Sequence, residues 1–203
     1  LKARQLGINN DSCIIIYDEY GVYSSPRVWW LFKTMGYENV AVLNGGFPAW
    51  KFADYSIEDK KTCSFSKGDF LVDYKSELII NTETVLKSLN DITKQIVDAR
   101  SLGRFSGASP EPREDIRSGH IPNSKSLPHT TLITNGELKS KEDLEKLFLE
   151  VTPHNKALIF SCGSGITACV LALGATIAGF ENLCVYDGSW TEWGSLSHLP
   201  IEI

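Results

Sequence analysis

The chain has 203 residues, 42% of them hydrophobic, and carries charges of both signs to a net of −5. This composition suits one large or two small globular domains and argues against a disordered chain. With no Lys/Arg-rich block and no apolar run near the roughly 20 residues of a membrane-spanning helix, nucleic acid and membrane are not expected as partners.

The sequence opens with "LKARQLGINN", without an initiator Met or a signal-peptide pattern, and is expected to be the remainder of a longer polypeptide. From residue 14 it reads as a buried strand, a loop, the helix-like "SSPRVWWLF" (24–32), a Gly-aromatic turn, a short strand and an Asn-Gly turn leading to Trp50. Residues 51–70 are polar and weakly periodic, as in a connector. Then come the strand-like "IVDARS" (96–101), the loop "SGHIPNSKSLP" (118–128) and "SKEDLEKLFLEV" (140–151), a predicted helix with Ser140 as its N-cap.

Residues 157–193 repeat the pattern of 14–50. The two segments align without a gap at a constant offset, 179 − 36 = 143 and 193 − 50 = 143. Gly36, Glu38, Asn39, Gly45 and Trp50 fall on Gly179, Glu181, Asn182, Gly188 and Trp193. Continuously apolar strands alternating with helices predict a parallel sheet covered on both faces. Two homologous α/β units follow, the first shorter at its N-terminus than the second. The division expected is residues 1–55 for the first unit, 56–76 for the connector and 77–203 for the second unit.

In the gap-free register Cys162 falls opposite Glu19, so only the second unit offers a nucleophile at its first loop. That loop, "CGSGITA" (162–168), lies between a strand and a helix. Gly163 and Gly165 permit backbone conformations closed to other residues, which lets consecutive N–H groups turn inward. Inward N–H groups and the positive end of the next helix make an anion cradle, a setting that favours a thiolate over a thiol. Ser164 and Thr167 add hydroxyl donors. A Walker-type phosphate loop is excluded because no Lys follows Gly165. A cysteine phosphatase is excluded because Ala168 stands where an arginine clamp is needed. The uncharged loop suits a neutral or weakly charged group, such as a sulfur atom in transfer.

The five cysteines (Cys13, Cys63, Cys162, Cys169 and Cys184) show no CxxC spacing. Neither a disulfide framework nor a zinc site is expected, which fits a reducing compartment. Cys13, Cys169 and Cys184 read as small buried hydrophobes.

"CGSGITA", "DARSLGRFSGASPEPR" (98–113), "GHIPNS" (119–124) and "DGSWTEWG" (187–194), with "SSPRVWWLF" and "VLNGGFPAW" (42–50) in the first unit, resemble the rhodanese superfamily. The resemblance is nearest to its two-domain 3-mercaptopyruvate sulfurtransferases and covers nearly the whole chain. It implies an α/β fold, with a rhodanese-like parallel sheet flanked by helices, one complete catalytic domain preceded by a partial non-catalytic copy. It further implies that Cys162 becomes a persulfide, that Arg104 and Arg113 hold the donor's carboxylate and carbonyl, and that Ser164 relays protons. Gly163, Gly165, Ile166 and Thr167 complete the implied substrate cradle. The family's N-terminal half also supplies an Asp and a His, from segments that would precede Leu1.

Gly163-Ser164 stands where thiosulfate-using rhodaneses carry Arg-Lys, which favours mercaptopyruvate over thiosulfate as donor. The acceptors implied are thioredoxin, glutathione or cyanide, with no metal or organic cofactor. The cytoplasm is the expected compartment and mitochondria the alternative. Asn123 replaces a turn glycine, which its tolerance of left-handed backbone permits. Asp98 and Arg100 are expected to pair structurally, His120 to be a hydrogen-bonded structural residue, and Trp29, Trp30, Trp50, Trp190 and Trp193 to pack in the core or between the domains. Thiosulfate sulfurtransferase activity and a non-catalytic rhodanese-like regulatory module are the competing readings.

Overall fold

The computed structural model describes residues 1–59 and 65–203; Cys63 and the middle of the connector lie outside the described residues. The first unit comprises α1 (Lys2–Gln5), β1 (Ile14–Ile16), α2 (Ser25–Thr34), β2 (Val40–Val42) and α3 (Gly46–Phe52). The second begins with β3 (Ile79–Ile80), α4 (Thr82–Ser88), β4 (Lys94–Asp98), α5 (Leu102–Phe105) and β5 (Lys125–Ser126). A 3-10 turn at His129–Leu132, the hairpin β6 (Ile133–Thr134) and β7 (Glu137–Leu138), and α6 (Lys141–Leu149) follow. The chain closes with β8 (Ala157–Ser161), α7 (Ala168–Ala178), β9 (Leu183–Tyr186) and α8 (Ser189–Ser195).

Five parallel strands form the main sheet in the order β3-β9-β8-β4-β5, while β1 and β2 pair in parallel by themselves. Successive residues of a strand point to opposite faces, so β8 feeds two cores. Leu158 and Phe160 join the core shared with α2, α6 and α7, and Ile159 joins Val85, Tyr186, Trp190 and Trp193 on the other face. Nine of the eleven residues of α7 are buried. A helix apolar all round needs cover all round; here β8 and β9, α6 and, from the first unit, α2 supply it. Trp29 and Trp30 on α2 are buried in this joint core, each worth about 1.5–3 kcal/mol of transfer free energy. One core therefore runs through both units.

Ser140 caps α6 as expected, accepting a hydrogen bond from the Asp143 N–H at 3.2 Å. The described part of the connector is a strap along the first unit. Gly68, Phe70, Asp73 and Lys75 donate main-chain N–H bonds to the carbonyls of Arg4, Ile8, Met35 and Thr34 at 2.8–3.2 Å, and Phe70 enters the core.

The repeat holds element by element, for the starts differ by 157 − 14, 168 − 25, 183 − 40 and 189 − 46, each equal to 143. The strand ahead of the loop departs from it. Ile14 N–H donates to the Asn39 carbonyl and Leu158 N–H to the Asn182 carbonyl, so the offset there is 158 − 14 = 144 against 182 − 39 = 143. At the strand exit, Phe47 N–H donates to the Asp18 carbonyl and Trp190 N–H to the Cys162 carbonyl, both at 2.9 Å. Asp18, not Glu19, thus occupies the position of Cys162. The first loop holds one more residue before its helix, and that residue absorbs the slip.

Two further expectations are corrected. Cys13 is exposed, because it lies ahead of β1 beyond the cover of the core. Trp50 is 37% exposed at the end of α3, where it packs against Tyr55 and donates its indole N–H to the Ser56 carbonyl. The other four tryptophans are buried.

Candidate active site

Cys162 leaves β8 at its carboxyl end, where ligands of open α/β sheets bind, and is only 1% exposed. Among the described residues, none of the six main-chain N–H groups from Gly163 to Ala168 donates to a protein acceptor. The first unit shows what such a loop does with a charge inside it. Asp18 accepts hydrogen bonds from the N–H groups of Tyr20, Tyr23, Ser24 and Ser25 at 2.8–3.0 Å, and from the Ser25 hydroxyl at 2.8 Å. Burial pushes the Asp18 carboxyl up, but the N–H donors of Ser25, Tyr23 and Tyr20 outweigh it and leave the group below its ordinary range. At the offset of 143, Tyr23, Ser24 and Ser25 correspond to Ile166, Thr167 and Ala168. At the position where the first unit's loop binds a carboxylate, the second unit carries the Cys162 thiol.

Gly165 has the expected left-handed backbone, with φ of 76°. Gly163 does not, and its reason for being glycine is different. A Cβ there would lie 3.2 Å from Nη2 of Arg104, so the missing side chain lets a guanidinium stand over the loop. Arg104 in turn is gripped by the buried Glu111, which accepts from its Nε at 3.2 Å and its Nη2 at 2.5 Å. Glu111 also pairs with Arg100 at 2.7 Å, and Arg100 with Asp98 at 2.8 Å, the structural pair expected from sequence. Nη1 of Arg104 has no hydrogen-bond partner among the described residues.

Arg113 reaches the loop by another route. It donates to the Thr191 hydroxyl at 3.0 Å, and that hydroxyl donates to the Gly163 carbonyl at 2.5 Å. Arg104 and Arg113 thus converge on Gly163 from separate segments. Arg100 and Arg104 are offset by Asp98 and Glu111, whereas Arg113 pairs with no carboxylate among the described residues. Over Asp98, Arg100, Arg104, Glu111 and Arg113 the formal charges leave one positive charge, on Arg113.

Ser164 is exposed and bonds to no other described residue, and Ile166 is exposed beside it at the rim. Thr167 holds the N-cap position of α7 without a side-chain capping bond. His120 is structural, its Nδ1 2.8 Å from the Phe105 carbonyl and its ring stacked on Phe105. Asn123 has the left-handed φ expected, 61°.

Glu111, Ser189 and Thr191 were not singled out from sequence. Ser189 is fully buried; its hydroxyl accepts from the Cys162 N–H at 3.1 Å, donates to the Tyr186 carbonyl at 2.9 Å and lies 4.0 Å from the Cys162 sulfur. It adopts a left-handed φ of 50°, and its counterpart in the first unit is Gly46 at 54°. A serine where the copy keeps glycine accepts strain of about 1–2 kcal/mol. That exchange of Gly46 for Ser189 was visible in the repeat and is the signal that marks it. Cys169, one turn into α7, donates to the Gly165 carbonyl at 3.2 Å, and burial pushes its thiol up to about 12 against the pull of Arg27.

The rhodanese-like domain family matches residues 1–53 and 81–196. The chain is 38% identical over its whole length to the 3-mercaptopyruvate sulfurtransferase of Escherichia coli (strain K12), of which it covers 72%. It is 42% identical over 94% of its length to that of Mus musculus, of which it covers 65%. The crystal structure of SseA, a 3-mercaptopyruvate sulfotransferase from Escherichia coli with the "rhodanese" fold, superposes with a TM-score of 0.82 at 36% identity, covering 93% of this chain and 71% of that one. With family, full-length relatives and fold in agreement, this chain belongs to the rhodanese-like domain family and is a sulfurtransferase.

Proposed function

We propose that the chain takes sulfur from 3-mercaptopyruvate, holds it as a persulfide on Cys162 and passes it to a thiol such as thioredoxin or glutathione, or to cyanide. Residues 77–203 carry the chemistry in this reading, residues 1–55 support it and 56–76 connect the two. The Cys162 thiolate attacks the donor's sulfur, forming the S–S bond as the C–S bond breaks. The electron pair leaves with the pyruvate enolate, which takes a proton at carbon; Ser164, at the exposed rim, is the group assigned to that proton. Arg104 and Arg113 hold the donor's carboxylate and carbonyl. The N–H groups of Gly163, Gly165, Ile166 and Thr167 receive the charge on sulfur. An acceptor thiolate then attacks the outer sulfur and regenerates Cys162. Every step uses protein side chains and main-chain donors.

The observation that carries this reading is the pairing of Cys162 with Asp18. A loop that stabilises a carboxylate in one copy carries a thiol at that position in the other, with its N–H donors unclaimed by protein acceptors among the described residues. The charge balance supports a monoanionic donor over the thiosulfate dianion. A cytoplasmic setting suits the four described cysteines, which are all unpaired.

Mass spectrometry after incubation with 3-mercaptopyruvate tests the proposal. The expected result is the gain of one sulfur atom on the Cys162 peptide, discharged by thioredoxin or cyanide with release of pyruvate beforehand. No sulfur gain at Cys162 in folded protein refutes it.

A further inference from the structure

A guanidinium of the first unit touches the loop. Arg27, on α2, is 23% exposed; its Nη2 pairs with Asp187 at 2.6 Å, and its Nη1 lies 3.5 Å from the Gly165 carbonyl oxygen. The Cys169 thiol donates to the same carbonyl. The corner is tight, for a Cβ on Gly165 would lie 2.9 Å from the Asp187 carbonyl and 3.3 Å from Nη1 of Arg27. Asp187 follows β9 and anchors the guanidinium, so α2, β9 and α7 meet at this one peptide.

A trans peptide is planar, and its C=O and N–H point in opposite directions. Contacts that hold the Gly165 carbonyl outward therefore aim the Ile166 N–H inward. Ile166 corresponds to Tyr23, whose N–H bonds the Asp18 carboxylate at 3.0 Å. A cation on the carbonyl also polarises the peptide and strengthens its N–H as a donor.

We propose that Arg27 is a positioning residue of the cradle, orienting and polarising the Gly165–Ile166 peptide so that its N–H serves the Cys162 sulfur. The proposal rests on the reading of Cys162 as the sulfur carrier. It gives the first unit a part in the chemistry although it carries no nucleophile at its own loop.

The test compares Arg27→Met and Arg27→Lys with the unaltered chain, each checked for fold by circular dichroism. Two quantities are read at one pH: the rate of iodoacetamide capture at Cys162, followed on its own peptide by mass spectrometry, and kcat and KM for 3-mercaptopyruvate. Arg27→Met is expected to slow capture about fivefold, the worth of one net hydrogen bond, and to lower kcat by a similar factor with KM held within about twofold. Arg27→Lys recovers most of both. Asp187→Asn, which frees the guanidinium from its anchor without altering α2, slows capture in the same direction and stands in if the Met variant does not fold. Cys162 is buried, so a loop that merely loosens is captured faster. Capture at or above the unaltered rate in both Arg27→Met and Asp187→Asn overturns the proposal. Failure of the unaltered protein to accept sulfur overturns instead the reading of Cys162, and the capture rates still decide the role of Arg27.

Discussion

Glu111→Gln is expected to change which donor the site prefers. The buried carboxylate of Glu111 cancels one of the two guanidinium charges it touches, and the glutamine keeps its shape and one acceptor oxygen. At an effective dielectric of about 20, a carboxylate roughly 6 Å from the second charge of a dianion opposes it by about 3 kcal/mol. Arg104 is 26% exposed, and solvent at the mouth screens the interaction to about half that value. About 1.4 kcal/mol is a factor of ten. The ratio of kcat/KM for thiosulfate to that for 3-mercaptopyruvate should therefore rise about tenfold in the variant. Cyanide-dependent turnover measured in parallel with each donor gives this ratio. The variant also loses about 1–3 kcal/mol of stability, because Arg100 and Arg104 then share a weaker acceptor. The ratio is immune to that loss, since both donors sample the same folded fraction. A ratio unchanged within twofold in folded protein refutes the idea that net charge beside Gly163 selects the donor.

Asp18→Ala strands four N–H groups and should lower stability by about 2–4 kcal/mol, read as a fall in Tm. Because the folded carboxyl lies below the ordinary value of 3.8, its contribution is present above about pH 4 and lost as pH falls through the lower folded value. The acid limb of stability against pH should thus flatten in the variant, and an unchanged limb would deny the carboxylate its place in the nest. Ser189→Gly relieves strain while removing a hydroxyl, so its Tm should change by less than that of Ser189→Ala, whereas both variants lose kcat. Cys169, its thiol raised to about 12 by burial, should stay free of sulfur at pH 8 under conditions that load Cys162, as peptide mass spectrometry will show.

The succession of strands and helices was legible over 14–50 and 157–193 because the repeat fixes it twice, whereas β3, α4 and the β6–β7 hairpin lie outside the repeat and were not read. The cradle was legible too, since "CGSGITA" places a thiol, a left-handed glycine and a helix start within seven residues. The one-residue slip of β1 was not. That strand is "III", apolar at every position, and such a run looks the same when moved by one residue, so alternation cannot report its register. Glu111 was hidden in "SPEPRED", where several acids look equally solvated; its partners Arg100 and Arg104 lie eleven and seven residues upstream and meet it only when the loop folds back. Arg27 was hidden more deeply, because Gly165 and Asp187 are brought to it by the packing of α2 on α7 and not by any local pattern.

The two copies act as each other's control. Their frames agree in the start of every matched strand and helix and differ by one residue in the register of β1 and its loop, so the exchanges at matched positions show what the second unit does with a similar backbone. Two such exchanges cluster at one strand end: Asp18 for Cys162 and Gly46 for Ser189. In the first copy the carboxylate is bound by four N–H groups of its own loop. In the second, the sulfur is a larger and weaker acceptor, and the Ser189 hydroxyl reaches its edge at 4.0 Å. The donors that a fixed carboxylate takes up in one copy are left to a charge that appears and disappears in the other. An arrangement that stabilises transient charge on sulfur needs donors held in place beforehand, because reorganising them during the reaction would cancel the gain. The joint core, the strap of residues 65–75 and the Arg27–Asp187 pair hold them so, which gives the whole first unit a physical reason to remain packed against a site whose nucleophile it does not supply.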